Sequence, residues 1–591
     1  MKSHCNKKCK KCKKCKKIYD VIIVGAGTAG SIAAKRISDN TELSVLVLDA
    51  GSNQNQNPLS LNPFEFNPDY NTINLFTAAV HPLTADVLIN QSFAGVPPNP
   101  GQKSSYDQTF YPFHSGRGWG GQSNHNYLLA IRPSPEFANV CSSFAGSHAN
   151  KWGPERWNQV FQELEKYNGP VNPNRGTDGR WGIAQVGPTI PVTNTILEGL
   201  KTASPEDNTV PIDLDYNTNI NRIFAQNGQQ FLKVDPVIGE RSHAGNSFLG
   251  PDVVDQTSGK GVGKRKLKIK SNAFVNKICF CKNKKVKSVK VSINGKSKTY
   301  YSRHKIIICA GAFRTPGILE RSGIGNFTKL QAAGVKYLVH DNHFVGENFH
   351  THVGPSAAFT VSPEVYPGQG NPAAQFQALI KIQPGMTPNE IATGKVQSRR
   401  VQILVNSGLG IPGTGAGQNN AILDSDDVKI PLDGSGTYLA FGWNLQPTSR
   451  GSVHIADSNP ETNPIIISNW NTTEEDKDIN LSYYKLMKDT ETTLQASHPE
   501  IDFQLKYPPQ KAYDSDDLLQ QYAASWLVVT DHASGTAAMG KVVDGRLNVI
   551  GVEGLKIADT SIFNIIPDAN TALSAAFVGW QVADFVLEEL A

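Results

Sequence analysis

Gly25-Ala26-Gly27-Thr28-Ala29-Gly30 places glycine at the first, third and sixth positions of a six-residue stretch, and Asp49 follows 24 residues after Gly25. Those residue types at those spacings can hold a dinucleotide. The first glycine permits a tight turn, the second lets a pyrophosphate approach the backbone, and the third lets a helix pack close to a strand. The phosphates then lie on the N–H groups at the helix N-terminus. An acid about 20 residues further on reaches the ribose hydroxyl. The loop alone does not choose between FAD and NAD, and a glycine-rich βαβ turn can also be purely structural.

For such a loop to work it must join a strand to a helix. Tyr19–Val24 reads YDVIIV, a run suited to a buried parallel strand, and Ser31–Ile37 has helical composition. Ser44–Leu48 is a second strand that ends at Asp49. Further on, Ile306–Cys309 is strand-like, and Asn294-Gly295 is a favoured two-residue turn for a β-hairpin. The expected fold class is therefore α/β, with a Rossmann-like domain, and 591 residues leave room for a second domain.

Charge divides the chain at its start. Residues 1–17 hold nine lysines, four cysteines and no acid, so the formal net charge of +5 becomes −4 for residues 18–591. A slightly acidic body gives no support for a nucleic-acid enzyme. No segment reaches about 18 consecutive apolar residues, so no membrane span is expected. No apolar h-region follows the basic stretch, so the expectation is not a secreted protein. Cys141, Cys279, Cys281 and Cys309 are too few and scattered for a disulfide framework. In the tail, Cys5, Cys9, Cys12 and Cys15 are cramped for structural zinc, and no metal site is expected. Neighbouring lysines favour reactive thiolates. The tail is expected to be a disordered arm that meets an anionic surface, serves as a nuclear address, or is disulfide-linked to a partner.

Three more stretches stand out. Gly116–Tyr127 reads GRGWGGQSNHNY, where Gly120 and Gly121 leave room for a flat ring or a phosphate and Ser123 and Asn126 offer hydrogen bonds. By itself it could equally be a glycine-rich surface loop. The others are GAFRTPGILERSGIG at 311–325, and DHASGTAAMG at 531–540 with GLKIADTSIFNIIPDANTA at 554–572. Together with Val345-Gly346-Glu347-Asn348 and Ser449–Val453, these resemble the glucose–methanol–choline (GMC) family of FAD-dependent oxidoreductases, from Tyr19 to the C-terminus. Gln122 departs from that pattern, since a small residue is usual there. The basic extension is most similar to that of members encoded by giant DNA viruses, which would place the protein inside the cell or in a virus particle.

The resemblance implies FAD as cofactor and a small-molecule alcohol as substrate, with oxygen or another electron acceptor. His532 heads the H-x-x-G-T-x-x-M-G motif and is implied as the general base; histidine suits that task at neutral pH. Asn570 stands where members carry a second histidine or an asparagine. An amide cannot take the proton, so its implied role is to hold the substrate oxygen. Further cofactor contacts are implied for Ala50, Val275, Asp559, Ala569 and Thr571, beside Thr28, Ala29 and Asn126. His125 stands where some members attach the flavin covalently; the alternative is a histidine hydrogen-bonded beside a non-covalent FAD.

Asp531 is a departure, because that position is often apolar or aromatic in relatives. The expectation is an Asx-type hydrogen bond within its loop, rather than an action on the base. Residues 18–160, 222–345 and 530–591 are expected to form the FAD domain. Residues 161–221 and 346–529 are expected to form the substrate domain, an antiparallel sheet with helices behind it. Residues 52–68 are expected to be an extended surface excursion, and 408–420 a loop. A flavin-containing attachment protein and a lyase remain alternative functional readings.

Overall fold

β1 (Ile18–Val24) has Val21, Ile22 and Ile23 fully buried, so it has to lie inside a sheet covered on both faces. In the computed structural model it does. The structure describes residues 18–62, 73–79, 110–185, 190–204, 239–368, 376–381, 400–408 and 436–591, with short pieces at 215, 217, 224–225 and 229–230. The lysine- and cysteine-rich tail, residues 63–68 and most of 408–420 fall outside these.

After β1 come α1 (Thr28–Asp39), β2 (Val45–Leu48), β3 (Leu267–Lys270), β4 (Ala273–Phe280), β5 (Val286–Ile293) and β6 (Lys296–Ile308). The sheet runs β4-β5-β6-β1-β2-β3, and Leu555–Ile557 pairs in parallel with the end of β6. β1 is parallel to both β6 and β2. Asn294 and Gly295 join β5 to β6 at φ 50° and 71°, the left-handed pair that a tight hairpin requires. The helix after the glycine loop starts at Thr28, three residues before the stretch whose composition is helical.

The C-terminal helix Thr571–Leu590 packs on α1, and its Gly579 sits against the α1 backbone. A Cβ there would lie 2.4 Å from the Ala29 carbonyl oxygen. That closeness holds the end of the chain against the glycine-loop helix.

A second sheet holds β7 (Val353–Thr360), β8 (Phe376–Lys381), β9 (Arg400–Ser407), β10 (Thr437–Asn444), β11 (Gln504–Tyr507) and β12 (Leu527–Val529). Its order is β11-β7-β10-β9-β8, all antiparallel, with β12 also paired to β7. Helices Pro191–Ala203, Glu474–Ser497 and Asp516–Ser525 cover one face in a separate core that includes Leu197, Tyr483, Leu494 and Ala523. A smaller sheet pairs Phe110–Gly116 with Ile73–Ala79 and brings His114 to the space between the two large sheets. No helix among the described residues is long and apolar enough to cross a membrane.

Residues 52–62 are not a surface excursion. Gln54 and Asn55 are buried, and Asn55 Nδ2 donates to the Leu249 carbonyl and to Gln256 Oε1, each at 2.9 Å. Asn57 caps the short helix Pro58–Leu61. The polar bias of the stretch supplies internal hydrogen bonds, which composition cannot distinguish from solvation.

Replacing Gly579 with Val is expected to push the C-terminal helix off α1 and cost about 2 kcal/mol or more, the scale of overpacking a tight core. Urea unfolding of the variant beside the unaltered protein measures it.

Candidate active site

Gly25 follows β1 at φ 100°, and a Cβ there would fall 2.3 Å from the Cys309 carbonyl oxygen. Gly30 lies directly beneath it, its Cβ position 2.0 Å from the Gly25 carbonyl oxygen. Neither position tolerates a side chain. Gly27 has only the Gly121 Cα within van der Waals range, at 3.8 Å, so its open side faces a cavity.

Asp49 is buried and braces this loop. Its Oδ2 accepts from the Ala26 N–H and its Oδ1 from the Gly51 N–H, both at 2.7 Å. Burial raises its pKa in spite of these hydrogen bonds. Asp559 does the same at the opposite wall: its Oδ2 accepts from Gly311 N at 2.9 Å and from Thr315 Oγ1 at 2.6 Å. The 120–126 loop is clamped from behind by Arg241, whose Nη1 donates to the Asn126 carbonyl at 2.6 Å and to Asn126 Oδ1 at 2.9 Å. Burial brings that guanidinium down to about 9.

One long cavity runs from this glycine loop to the second sheet. Gly25, Gly27, Thr28, Ala29, Asp49, Ala50, Gly121, Ser123, His125, Asn126, Val275, Asp559, Asn570, Thr571 and His532 all line it. Gly30 and Gly120 lie behind that wall, where a Cβ on Gly120 would meet Asn124 Oδ1 at 2.3 Å. Ala569 is buried with Ile131 and Leu445.

At the far end the geometry fixes where protons sit. His352, on the approach to β7, places Nε2 at 2.9 Å from the Pro567 carbonyl oxygen and 3.1 Å from that of Leu445. Both are acceptors, so Nε2 carries the hydrogen. Burial holds His352 at about 4, against the pull of those carbonyls, so the ring is neutral and its Nδ1 is a bare acceptor. That Nδ1 lies 2.8 Å from His532 Nδ1, which must therefore be the donor. His532 is held well below the usual histidine range by burial and then by His352. It is neutral, with its lone pair on Nε2. Asn570 Nδ2 is 3.3 Å from that lone pair, while Gln402 Nε2 donates to Asn570 Oδ1 at 3.1 Å and orients the amide.

Asp531 does not turn into its own loop. Its Oδ1 accepts from the His114 N–H at 2.9 Å, and its Oδ2 lies 3.3 Å from His114 Nδ1. Burial pulls His114 down, but the hydrogen bond and charge of Asp531 outweigh it and leave the imidazole raised. The carboxylate is committed to another element of the wall, which a local turn motif does not reveal.

His352, Gln402, His114, Leu404 and Trp443 were not singled out by the sequence reading. One signal was available for the first: His350-Thr351-His352 alternates directly after the Val345–Asn348 motif. The others come from strands with no motif.

The glycine loop on a parallel sheet, joined by a cavity to a neutral imidazole at a second sheet, defines a dinucleotide-dependent oxidoreductase type of site. Residues 19–354 and 447–579 match the N- and C-terminal models of the GMC oxidoreductase family, and the chain belongs to that family. A GMC-type oxidoreductase of Acanthamoeba polyphaga mimivirus is 25% identical, over 96% of this chain and 89% of the relative. An alcohol dehydrogenase [acceptor] of Pseudomonas putida is 24% identical, over 97% and 96%. The formate oxidase of Aspergillus oryzae, solved in work on modification of its FAD, superposes with TM-score 0.74 at 19% identity, covering 97% of this chain and 98% of its own.

The neutral imidazole pair has a measurable cost in acid. The unfolded chain takes up protons on these histidines below about pH 6.5 while the folded one does not. Their contribution to stability is therefore complete above that pH and is lost as pH falls towards the folded value of about 4 for His352. In His352→Gln the fall in urea midpoint between pH 7 and pH 4.5 is expected to be shallower than in the unaltered protein.

Proposed function

We propose that this protein is an FAD-dependent oxidoreductase acting on a CH–OH donor. The observation that carries the reading is the His532 tautomer: an uncharged imidazole with the lone pair of Nε2 at the cavity, next to an amide of fixed orientation. The residues fit a dinucleotide at the other end. Gly27 leaves an open cradle where a Cβ would stand, and the N–H groups that begin α1 lie beside it.

FAD, when bound, supplies the acceptor for the hydride of the alcohol carbon. The rest is the work of this chain. Gly25–Gly30, with Thr28 and Ala29 at the helix start, would hold the diphosphate, and Asp49 lines the cavity where the ribose would lie. The wall of Ser123, His125 and Asn126 would hold the ring system, with Asp559 and Thr571 lining the same cavity. His532 Nε2 takes the hydroxyl proton, and Asn570 Nδ2 turns from that nitrogen to the substrate oxygen, fixing it for in-line transfer. The same division of labour assigns residues 18–160, 222–345 and 530–591 to cofactor binding and 161–221 with 346–529 to the substrate.

The substrate end combines Leu129, Leu404 and Trp443 with the His114–Asp531 pair. That pair offers hydrogen bonds at the rim of the cavity. The reading favours alcohols with an apolar body and a polar group at the rim.

Visible spectra taken without oxygen, before and after a panel of alcohols, test this. A flavin band that one alcohol class bleaches is expected, and admitting air then shows whether oxygen is the acceptor. His532→Ala is expected to slow bleaching by roughly 10²-fold or more, the scale of losing a general base. Unchanged bleaching in that variant would remove His532 from the mechanism.

A further inference from the structure

Of the polar side chains that follow Gly120-Gly121, the fold commits two to its own backbone. Ser123 Oγ donates to the Gly120 carbonyl at 2.6 Å and accepts from the Ala244 N–H at 3.0 Å. Asn124 Nδ2 donates to the Trp119 carbonyl at 2.8 Å. Gln122, the residue that departs from the family pattern, behaves differently. Its half-buried side chain lines the cavity, and its Oε1 accepts from the Gly116 N–H at 2.6 Å. A backbone N–H can only donate, so the atom that faces it is the amide oxygen, and the –NH2 forms the other arm of the fork. That nitrogen donates to no group among the described residues.

Two tight contacts set where Gln122 stands. Gly120 and Gly121 adopt φ of 98° and 55°, and a Cβ on Gly121 would lie 2.7 Å from the Gly27 Cα. The turn that carries Gln122, Gly121–Asn124, therefore starts in contact with the glycine loop. The strand Phe110–Gly116 ends against the same turn. There a Cβ on Gly116 would fall 2.3 Å from the Gly121 carbonyl oxygen and 2.5 Å from the Gln122 nitrogen. Neither contact has slack, so the backbone of Gln122 is fixed, and the Gly116 hydrogen bond fixes its amide. Its Nε2 is a donor of set direction, one residue from the point where the two glycine-rich loops touch.

We infer that Gln122 Nε2 donates to an oxygen in the diphosphate–ribityl part of the cofactor, a contact that rests on FAD occupying this cavity. The N–H groups that begin α1 supply donors on one side of Gly27, and Gln122 supplies one on the other. A phosphate oxygen and a ribityl hydroxyl are both acceptors, and both belong to the stretch of a dinucleotide that passes the glycine loop. The same amide links the cofactor to the substrate end. The strand whose last N–H it receives carries His114 two residues earlier, and His114 is the partner of Asp531. Gln122 is thus one side chain with two bonds: an acceptor that braces the wall and a donor that holds the cofactor.

Release of FAD from the full-length, flavin-loaded protein, followed as flavin fluorescence recovered on dilution, tests the inference. Acid precipitation first shows whether the flavin is linked through His125; where it is, every comparison is made in a His125→Ala background. Gln122→Glu is the discriminating variant. Its carboxylate still accepts from the Gly116 N–H, but it has no hydrogen to give and sets a negative charge beside the diphosphate. Release is expected to quicken roughly tenfold in Gln122→Ala, the scale of one hydrogen bond to a charged group, and further in Gln122→Glu. The urea midpoint is expected to fall more in Gln122→Ala, which alone loses the brace. Phosphorus NMR of the bound FAD locates the acceptor: shifted resonances in Gln122→Glu place it on the diphosphate, and unshifted ones with faster release place it on the ribityl chain. A Gln122→Glu protein that keeps its FAD as long as the unaltered one makes Gln122 a brace alone and overturns the inference. An unaltered protein that holds no FAD would bring down the reading of the cavity, and this contact with it.

Discussion

Two carbonyl oxygens decide which nitrogen of His532 carries the lone pair. They belong to Leu445 and Pro567, lie 3.1 and 2.9 Å from His352 Nε2, and accept whatever hydrogen sits there. Every later assignment follows from that one constraint: the bare Nδ1 of His352, the hydrogen on His532 Nδ1 and the free lone pair on His532 Nε2. The four elements involved come from different parts of the chain. His352 precedes β7, Leu445 follows β10, and Pro567 and His532 belong to the C-terminal segment that also packs on the dinucleotide sheet. A change in how the second sheet sits against the first would therefore alter a protonation state as well as a distance. This is the physical sense in which the active site depends on the whole fold.

Much of this was legible in the sequence, for reasons that differ by residue. The glycine loop is local: Gly25 is demanded by the close approach of Cys309 and Gly30 by the Gly25 carbonyl, while Gly27 borders the open cavity, so spacing alone exposes them. The β5–β6 hairpin is local too, since Asn294 and Gly295 both need positive φ. His532 and Asn570 were reached through resemblance to a family pattern; their 3.3 Å contact spans 38 positions and no spacing rule produces it. His352 and Gln402 act through contacts 180 and 168 positions away, and nothing near them in the chain marks the contact. The buried Gln54 and Asn55 show the reverse error, because polar composition reads as solvent exposure unless the internal partner is known.

Asp531 shows how position keeps the proposed base neutral. A carboxylate one residue from His532 could have raised the imidazole and left it protonated at neutral pH, unable to accept from an alcohol. Instead it faces His114, which engages both its oxygens and whose pKa it raises. Burial then acts on His532 unopposed and keeps it neutral. The low basicity that results reduces the driving force for proton transfer, and the base form is present over a wide pH range in return. Two histidines on one cavity, one raised by a carboxylate and one lowered by burial, are thus pushed apart in pKa by their neighbours.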